Sequence, residues 1–186
     1  VGDLWGRVQS TYAWRQNHTA LIQPPMVAQA VERVAEVLGD ASMPSEFMTP
    51  LDRYHQWLAE HRVPDDDGLL VIISPYESGT DQSPTFDEVL GLGRAPGRWR
   101  LSFRDRWLDL RNALANYDSE KLVKSGNFRV KDALVNALYA DSLATMARLH
   151  RRHGEAAMAN AYSNLASVVV ASLVGKLWDR SRGAFF

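Results

Sequence analysis

The 186-residue sequence contains no cysteine. That absence removes disulfides, zinc-thiolate centres and thiol nucleophiles together, and it suits a reducing compartment, with the cytoplasm as the default. Charge of one sign is equally lacking. With 21 basic and 22 acidic residues and a net charge of -1, the overall balance points to neither nucleic acid nor an anionic membrane as a partner. No run of about 18 apolar residues marks a membrane span, and no basic region followed by an apolar run marks a signal peptide. Low-complexity tracts and short repeats are also missing. What remains is a chain of ordinary domain size, able to bury roughly 70% of its unfolded surface, with small neutral or weakly charged ligands open to it. It starts at Val1 rather than Met and stops in mid-pattern at "WDRSRGAFF", which leads us to expect a piece of a longer protein.

Helical periodicity dominates what is present. In "PPMVAQAVERVAEVL", Met26, Ala30, Val34 and Leu38 recur every four residues with Val31 and Val37 beside them, predicting one apolar helical face. Pro25 and Gly39 fit its two ends. A second helix is predicted over about 45–62, with Phe47, Leu51, Tyr54 and Leu58 as its stripe and Pro44 and Pro64 as its limits. Phe103, Trp107, Leu110 and Leu114 mark a third over about 101–117. A fourth covers about 130–150, and a last one, about 155–178, contains "ASVVVASLV", apolar all round and expected to pack on both flanks. "DSEKLVKSGN" reads as a polar loop. "GLLVIIS" has no strand partners and reads as an extended inner segment rather than part of a sheet. The fold class is therefore all-α, built from antiparallel helical hairpins with long loops on one side.

The segment that follows the inner run, "SPYESGTDQSPTFD" (74–87), concentrates acids, prolines and a glycine. Pro75 and Pro84 stiffen it, while Gly79 permits positive φ between Glu77 and Asp81. One reading is an acidic, solvated structural loop. The other is a site: a carboxyl near "LLVII", Tyr76 and Phe86 has its charged form disfavoured by desolvation, and Glu77 beside Asp81 adds like-charge repulsion. One member of such a pair can then stay protonated and serve as an acid, as glycoside hydrolysis requires of one of its two carboxyls.

"ESGTDQSPTFD" resembles the E-S-G-x-D-N-S-P-x-W-D signature of the glycoside hydrolase family 63-like enzymes, which include mannosylglycerate and glucosylglycerate hydrolases, and is similar to the E-S-G-W-D segment of trehalases. Three further stretches lie in matching order. "LIQPPMVAQAVERV" resembles the family's I-T-Q-P-P helix start, "FRVKDALVNALYADSLATMARL" a D-x-x-x-N-x-x helix, and "VVASLVGKLWDRSRGAFF" a K-L-W-D-x-x-x-G-x-F helix end. The resemblance implies an (α/α)6 barrel and hydrolysis, with inversion, of an α-linked sugar such as that of glucosylglycerate or mannosylglycerate. It makes Asp81 the general acid and Glu77 a sugar-binding or pKa-setting neighbour. Tyr76, Gly79 and Gln82 then belong to the same substrate-binding loop. Tyr76 and Phe86 stand where tryptophan is common, and Gln82 where asparagine is common. The general base, a glutamate in a later loop, is expected outside this chain, as is an early F-W-D-S motif. Residues 1–186 would thus be the central portion of one catalytic domain, with little activity alone, a small saccharide or glycoside as partner and no cofactor.

Other features carry weaker signals. Gln23, before two prolines, is either a helix-entry device or a ligand contact, and Trp14 is a candidate sugar-stacking residue. His150 and His153 read as a dipole-complementing helix end rather than a metal pair. "DDDG" (65–68) lacks the alternating pattern and distal glutamate of a calcium loop and reads as a solvated turn. The arginine- and aromatic-rich stretch 94–107 superficially resembles a nucleic-acid surface, but its acids favour an ordinary amphipathic helix, able to border a carboxylate-accepting pocket. A helical-repeat binding module with an acidic docking loop is the alternative to an enzyme.

Overall fold

The computed structural model describes residues 21–40, 42–93 and 97–185. Six α-helices are found there: α1 (Val27–Leu38), α2 (Met43–Arg62), α3 (Arg98–Leu114), α4 (Ser119–Ser125), α5 (Ala133–Arg152) and α6 (Ala156–Ser172). α1 with α2 and α5 with α6 form the expected hairpins. α6 continues into a π turn, Leu173–Leu177, and a two-residue hairpin of β1 (Trp178–Asp179) and β2 (Ala184–Phe185). The polar "DSEKLVKSGN" stretch is helical rather than a loop. Asp118 accepts a hydrogen bond from Lys121 N at 3.0 Å and so caps α4, because an aspartate before a short run of helix formers satisfies one of the orphan amides.

Two helical faces differ from expectation in the same way. On α1 the core takes Ala28, Val31 and Ala35, while Met26, Val34 and Leu38 are about half or more exposed. On α3 it takes Asp105, Leu108 and Asn112, and the whole predicted stripe of Phe103, Trp107, Leu110 and Leu114 lies outside. α6 and the π turn that continues it bury Ala166, Val169 and Leu173 but expose Val168, Val170 and Val174, rather than packing on both flanks as expected. Periodicity reveals that a helix has an apolar face, not which face meets this core. Ala156–Leu177 is long and apolar enough to cross a membrane by length and composition. Here, one side of it packs on α5 and the core.

The inner segment behaves as predicted. Leu69 to Ile73 are all buried, and among the described residues only Ile72 pairs with another strand-like residue, Val130. A buried strand without a sheet must find other partners for its backbone, and side chains provide most of them. Asn136 on α5 accepts from Leu70 N at 2.7 Å and donates to Leu70 O at 2.9 Å. Asn112 on α3 donates to Ile73 O at 3.0 Å, and Val71 N donates to Arg62 O at 2.8 Å. The Asp and Asn of the D-x-x-x-N stretch therefore have structural work here: Asp132 caps α5 by accepting from Val135 N, and Asn136 clamps the strand.

The remaining sequence candidates are absorbed into the scaffold. Asp65 and Asp67 pair with Lys131, and Asp67 also with Lys176. Although burial pushes Asp67 upward, hydrogen bonds from Lys131, Lys176 and Leu69 N hold it down to about 2. Lysines thus supply the cations to this turn, and no cluster of metal-ligating side chains occurs among the described residues. His150 is buried rather than at the surface, with its ring nitrogens against Asp52 of α2 and Glu155. Tyr162 of α6 donates to the same Asp52 at 2.7 Å.

Next to this network His55 is 2% exposed, hydrogen-bonded to Leu51 O and Ser142 Oγ. Burial pushes its imidazole down from 6.5 to about 4, against the attraction of Leu51 O and Asp52. The folded chain therefore holds His55 neutral where the unfolded chain binds a proton. Its contribution is complete above about pH 6.5 and is lost as pH falls toward 4, by roughly 3 kcal/mol at most. Urea unfolding at pH 7 and at pH 4.5 measures this: His55→Gln should flatten the slope over that window.

Candidate functional site

The acid loop is built as a chain of small turns. Ser74, with an extended backbone, accepts from Tyr76 N at 3.3 Å and starts a 3-10 turn over Pro75–Glu77. Ser78 Oγ donates to Pro75 O at 2.7 Å and accepts from Thr80 N at 2.9 Å. Ser83 opens a second 3-10 turn, Pro84–Phe86, accepting from Thr85 N. Phe86 is 1% exposed and meets Phe128 edge-on with centroids 5.6 Å apart. Gly79 has φ 75°, as expected, and a Cβ there would lie 3.4 Å from Pro24 Cγ. The "QPP" segment therefore lies directly against the loop, with Gln23 exposed beside it.

The two acids of the loop part company. Glu77 is fully buried. Its Oε1 accepts from Ile22 N at 2.9 Å and Arg62 Nη2 at 2.7 Å, and its Oε2 from Arg62 Nη1 at 3.0 Å and Ile73 N at 2.7 Å. A carboxylate with four donors has nothing left for a sugar, and the guanidinium offsets its charge. This corrects the expected sugar-binding, charge-repelling role. Glu77 instead rivets the loop to α2, to the inner strand and to the segment before α1. Asp81 is exposed, as are Gly79 and Gln82, whereas Tyr76 is half-buried against Leu21, Val71, Ile73, Leu122 and Val123. The desolvation expected of a carboxyl near "LLVII" thus falls on Glu77, and Arg62 and two amides meet it there. Trp14 lies outside the described residues.

A residue that sequence reading missed stands on the next element. Asp105 of α3 is 5% exposed and its Oδ1 has no hydrogen-bond partner among the described residues. Burial pushes its carboxyl upward, and the charge of Asp81 pushes it further. Within "RWRLSFRDRW" it looks like a solvated surface charge, and no local pattern marks it as buried.

Near the loop, a cleft of about 260 Å³ is lined by Val89 to Gly91, Arg104, Trp107, Leu108, Arg111, Asn127 and Phe128. The basic, aromatic stretch thus borders a cleft, as the sequence suggests.

Comparison with known proteins places these features in a family. The profile of the mannosylglycerate hydrolase MGH1-like glycoside hydrolase domain matches residues 6–186. A mannosylglycerate hydrolase of Rubrobacter radiotolerans is 29% identical over 191 residues, covering 90% of this chain and 43% of that protein. Mannosylglycerate hydrolase MGH2 of Selaginella moellendorffii is 30% identical over 158 residues, covering 73% of this chain and 32% of its own. Among solved structures, the GH63 mannosylglycerate hydrolase of Thermus thermophilus in complex with glucose superimposes with a TM-score of 0.77 at 26% identity, covering 93% of this chain and 44% of that one. The chain spans less than half the length of these relatives, and its helical hairpins are consistent with part of a helical toroid. From the matched profile over nearly its whole length, together with the superposition of its hairpins, the chain belongs to the MGH1-like glycoside hydrolase domain family.

Proposed function

We propose that this chain carries the acid half of an inverting glycosidase acting on an α-glycoside of glycerate, with Asp81 as general acid. The observation that supports this most is the division of labour in the loop: Glu77 is spent on structure, while Asp81 is held out to solvent on a backbone fixed at both ends. The relatives' names point to mannosylglycerate, and glucosylglycerate is the neighbouring candidate. Asp81 gives its proton to the glycosidic oxygen as the bond to the anomeric carbon breaks, and the oxygen leaves as a neutral hydroxyl. A water, activated by a glutamate outside these residues, adds from the opposite face of the sugar. Inversion requires that second carboxylate to stand roughly 6.5–9.5 Å from the first, with the water between them. Gln23, Gln82 and the cleft beside α3 border the space in which sugar and glycerate would lie. The alternative of a docking module finds no support in family membership.

Incubating the complete polypeptide that contains this chain with α-mannosylglycerate and α-glucosylglycerate, and following the anomeric protons by NMR, tests the reading. The β-anomer should form first from at least one of them. An α-anomer as first product would overturn inversion, and no cleavage of either would overturn the substrate class.

A further inference from the structure

α5 has a neighbour on three of its sides. Gln29 of α1 donates to Leu138 O at 3.1 Å, Asp52 of α2 reaches His150 Nε2 at 2.9 Å, and α6 runs back along it as the second arm of the hairpin. The fourth side is a groove. Ala137, Asp141, Ala144, Arg148 and Arg151 follow one another there in alternating steps of four and three, the spacing of a seam between helices.

With Ser163, Ser167 and Val170 of α6, these residues line a space of about 810 Å³. The alanines of its floor let a second helix axis approach to about 8 Å, the near end of the usual packing range. From Ala137 to Arg151 it runs about 21 Å, at about 1.5 Å per residue, which is the length of a helix of about four turns. Its ends differ in chemistry. The hairpin places Ala137 and Val170 at one end, where Val170 and Val174, four residues on, are about half exposed. The other end holds Arg148, paired with Glu32 of α1, and Arg151, which is exposed and has no ion-pair partner among the described residues.

A second copy of the same surface does not fit. A two-fold contact sets concave against concave, and it lays Arg151 against either its own copy or the apolar end. The chain spans less than half the length of its relatives, so a polypeptide of their length has more chain to bury against α5 and α6.

We propose that the groove between α5 and α6 seats a helix of the same polypeptide, from outside these 186 residues, apolar where it meets Ala137 and Val170 and acidic where it meets Arg151. That helix covers the exposed Val170 and Val174, and its carboxylate pairs with the Arg151 guanidinium. The seat does not depend on which carboxyl of the acid loop gives the proton.

The 186 residues contain no cysteine, so single thiols report on the groove in the complete polypeptide, with any cysteine elsewhere changed to serine. Ala137→Cys and Ser167→Cys should react with a maleimide at least about tenfold more slowly than Asn164→Cys, on the outer side of α6, because a seated helix must open first. Equal rates at the three positions overturn the proposal. Protection that disappears on dilution, together with dissociation of a dimer in light scattering, also overturns it, since the occupant is then another copy. Arg151→Glu separates a seated helix from a groove that merely shields its own floor: it should speed labelling at both groove positions by about threefold, through repulsion of the acidic end. Unchanged rates in Arg151→Glu overturn the charge match.

Discussion

Glu77→Ala should lower the unfolding free energy by about 3–5 kcal/mol, the range for breaking a buried ion pair from one side. Arg62 and Glu77 are both fully buried, and their forked contact spans 2.7 and 3.0 Å. Removing the carboxylate leaves the guanidinium charged in the core and also orphans Ile22 N and Ile73 N, each a buried donor. Against a typical total of about 5–15 kcal/mol, that single change takes a large share of the stability. Glu77→Gln keeps the shape and some acceptor capacity, so its loss should be smaller. The double change Arg62→Met with Glu77→Gln should recover part of the loss, because no unpaired charge remains. Guanidinium unfolding midpoints of the four proteins decide the matter. A loss under about 1 kcal/mol in Glu77→Ala would show the pair to be dispensable. Because the same carboxylate ties three segments together, amide exchange should quicken over residues 74–87.

Asp81→Asn should do the reverse, leaving stability within about 0.5 kcal/mol and lowering turnover of the complete enzyme by about 10²–10⁴-fold. The asymmetry follows from exposure: among the described residues no hydrogen bond holds the Asp81 carboxylate, so the fold has nothing to lose there. A substrate whose leaving group needs no proton separates acid catalysis from simple disruption. An α-glycosyl fluoride should be hydrolysed by Asp81→Asn nearly as fast as by the parent, whereas the glycerate glycoside should not. Equal losses on both substrates would assign Asp81 to binding rather than to proton transfer.

Reading the sequence found the right segments and, within them, some wrong surfaces. Leu69 to Ile73 were legible as an inner strand because five consecutive apolar residues have no other stable place, and the Ser, Pro and Gly of 74–87 encoded their own turns locally. The exposed stripes of α1 and α3 were legible as apolar but not as outward-facing. α4 was missed because its seven residues carry mostly polar side chains, and its helix depends on the Asp118 cap and on burying Leu122 and Val123.

The sequence by itself determined the helical class, the rigid turn-rich loop with positive φ at Gly79, and the family, since each rests on residues close along the chain or on motifs in fixed order. Only the tertiary structure decided which acid of the loop is buried and paired and which is exposed. Arg62 reaches Glu77 from 15 residues away and Ile22 from 55, and Asn112 of α3 reaches Ile73 O from 39. Burial and charge pairing are properties of contacts between distant segments. For that reason two carboxyls four residues apart in one loop become a buried rivet and an exposed side chain.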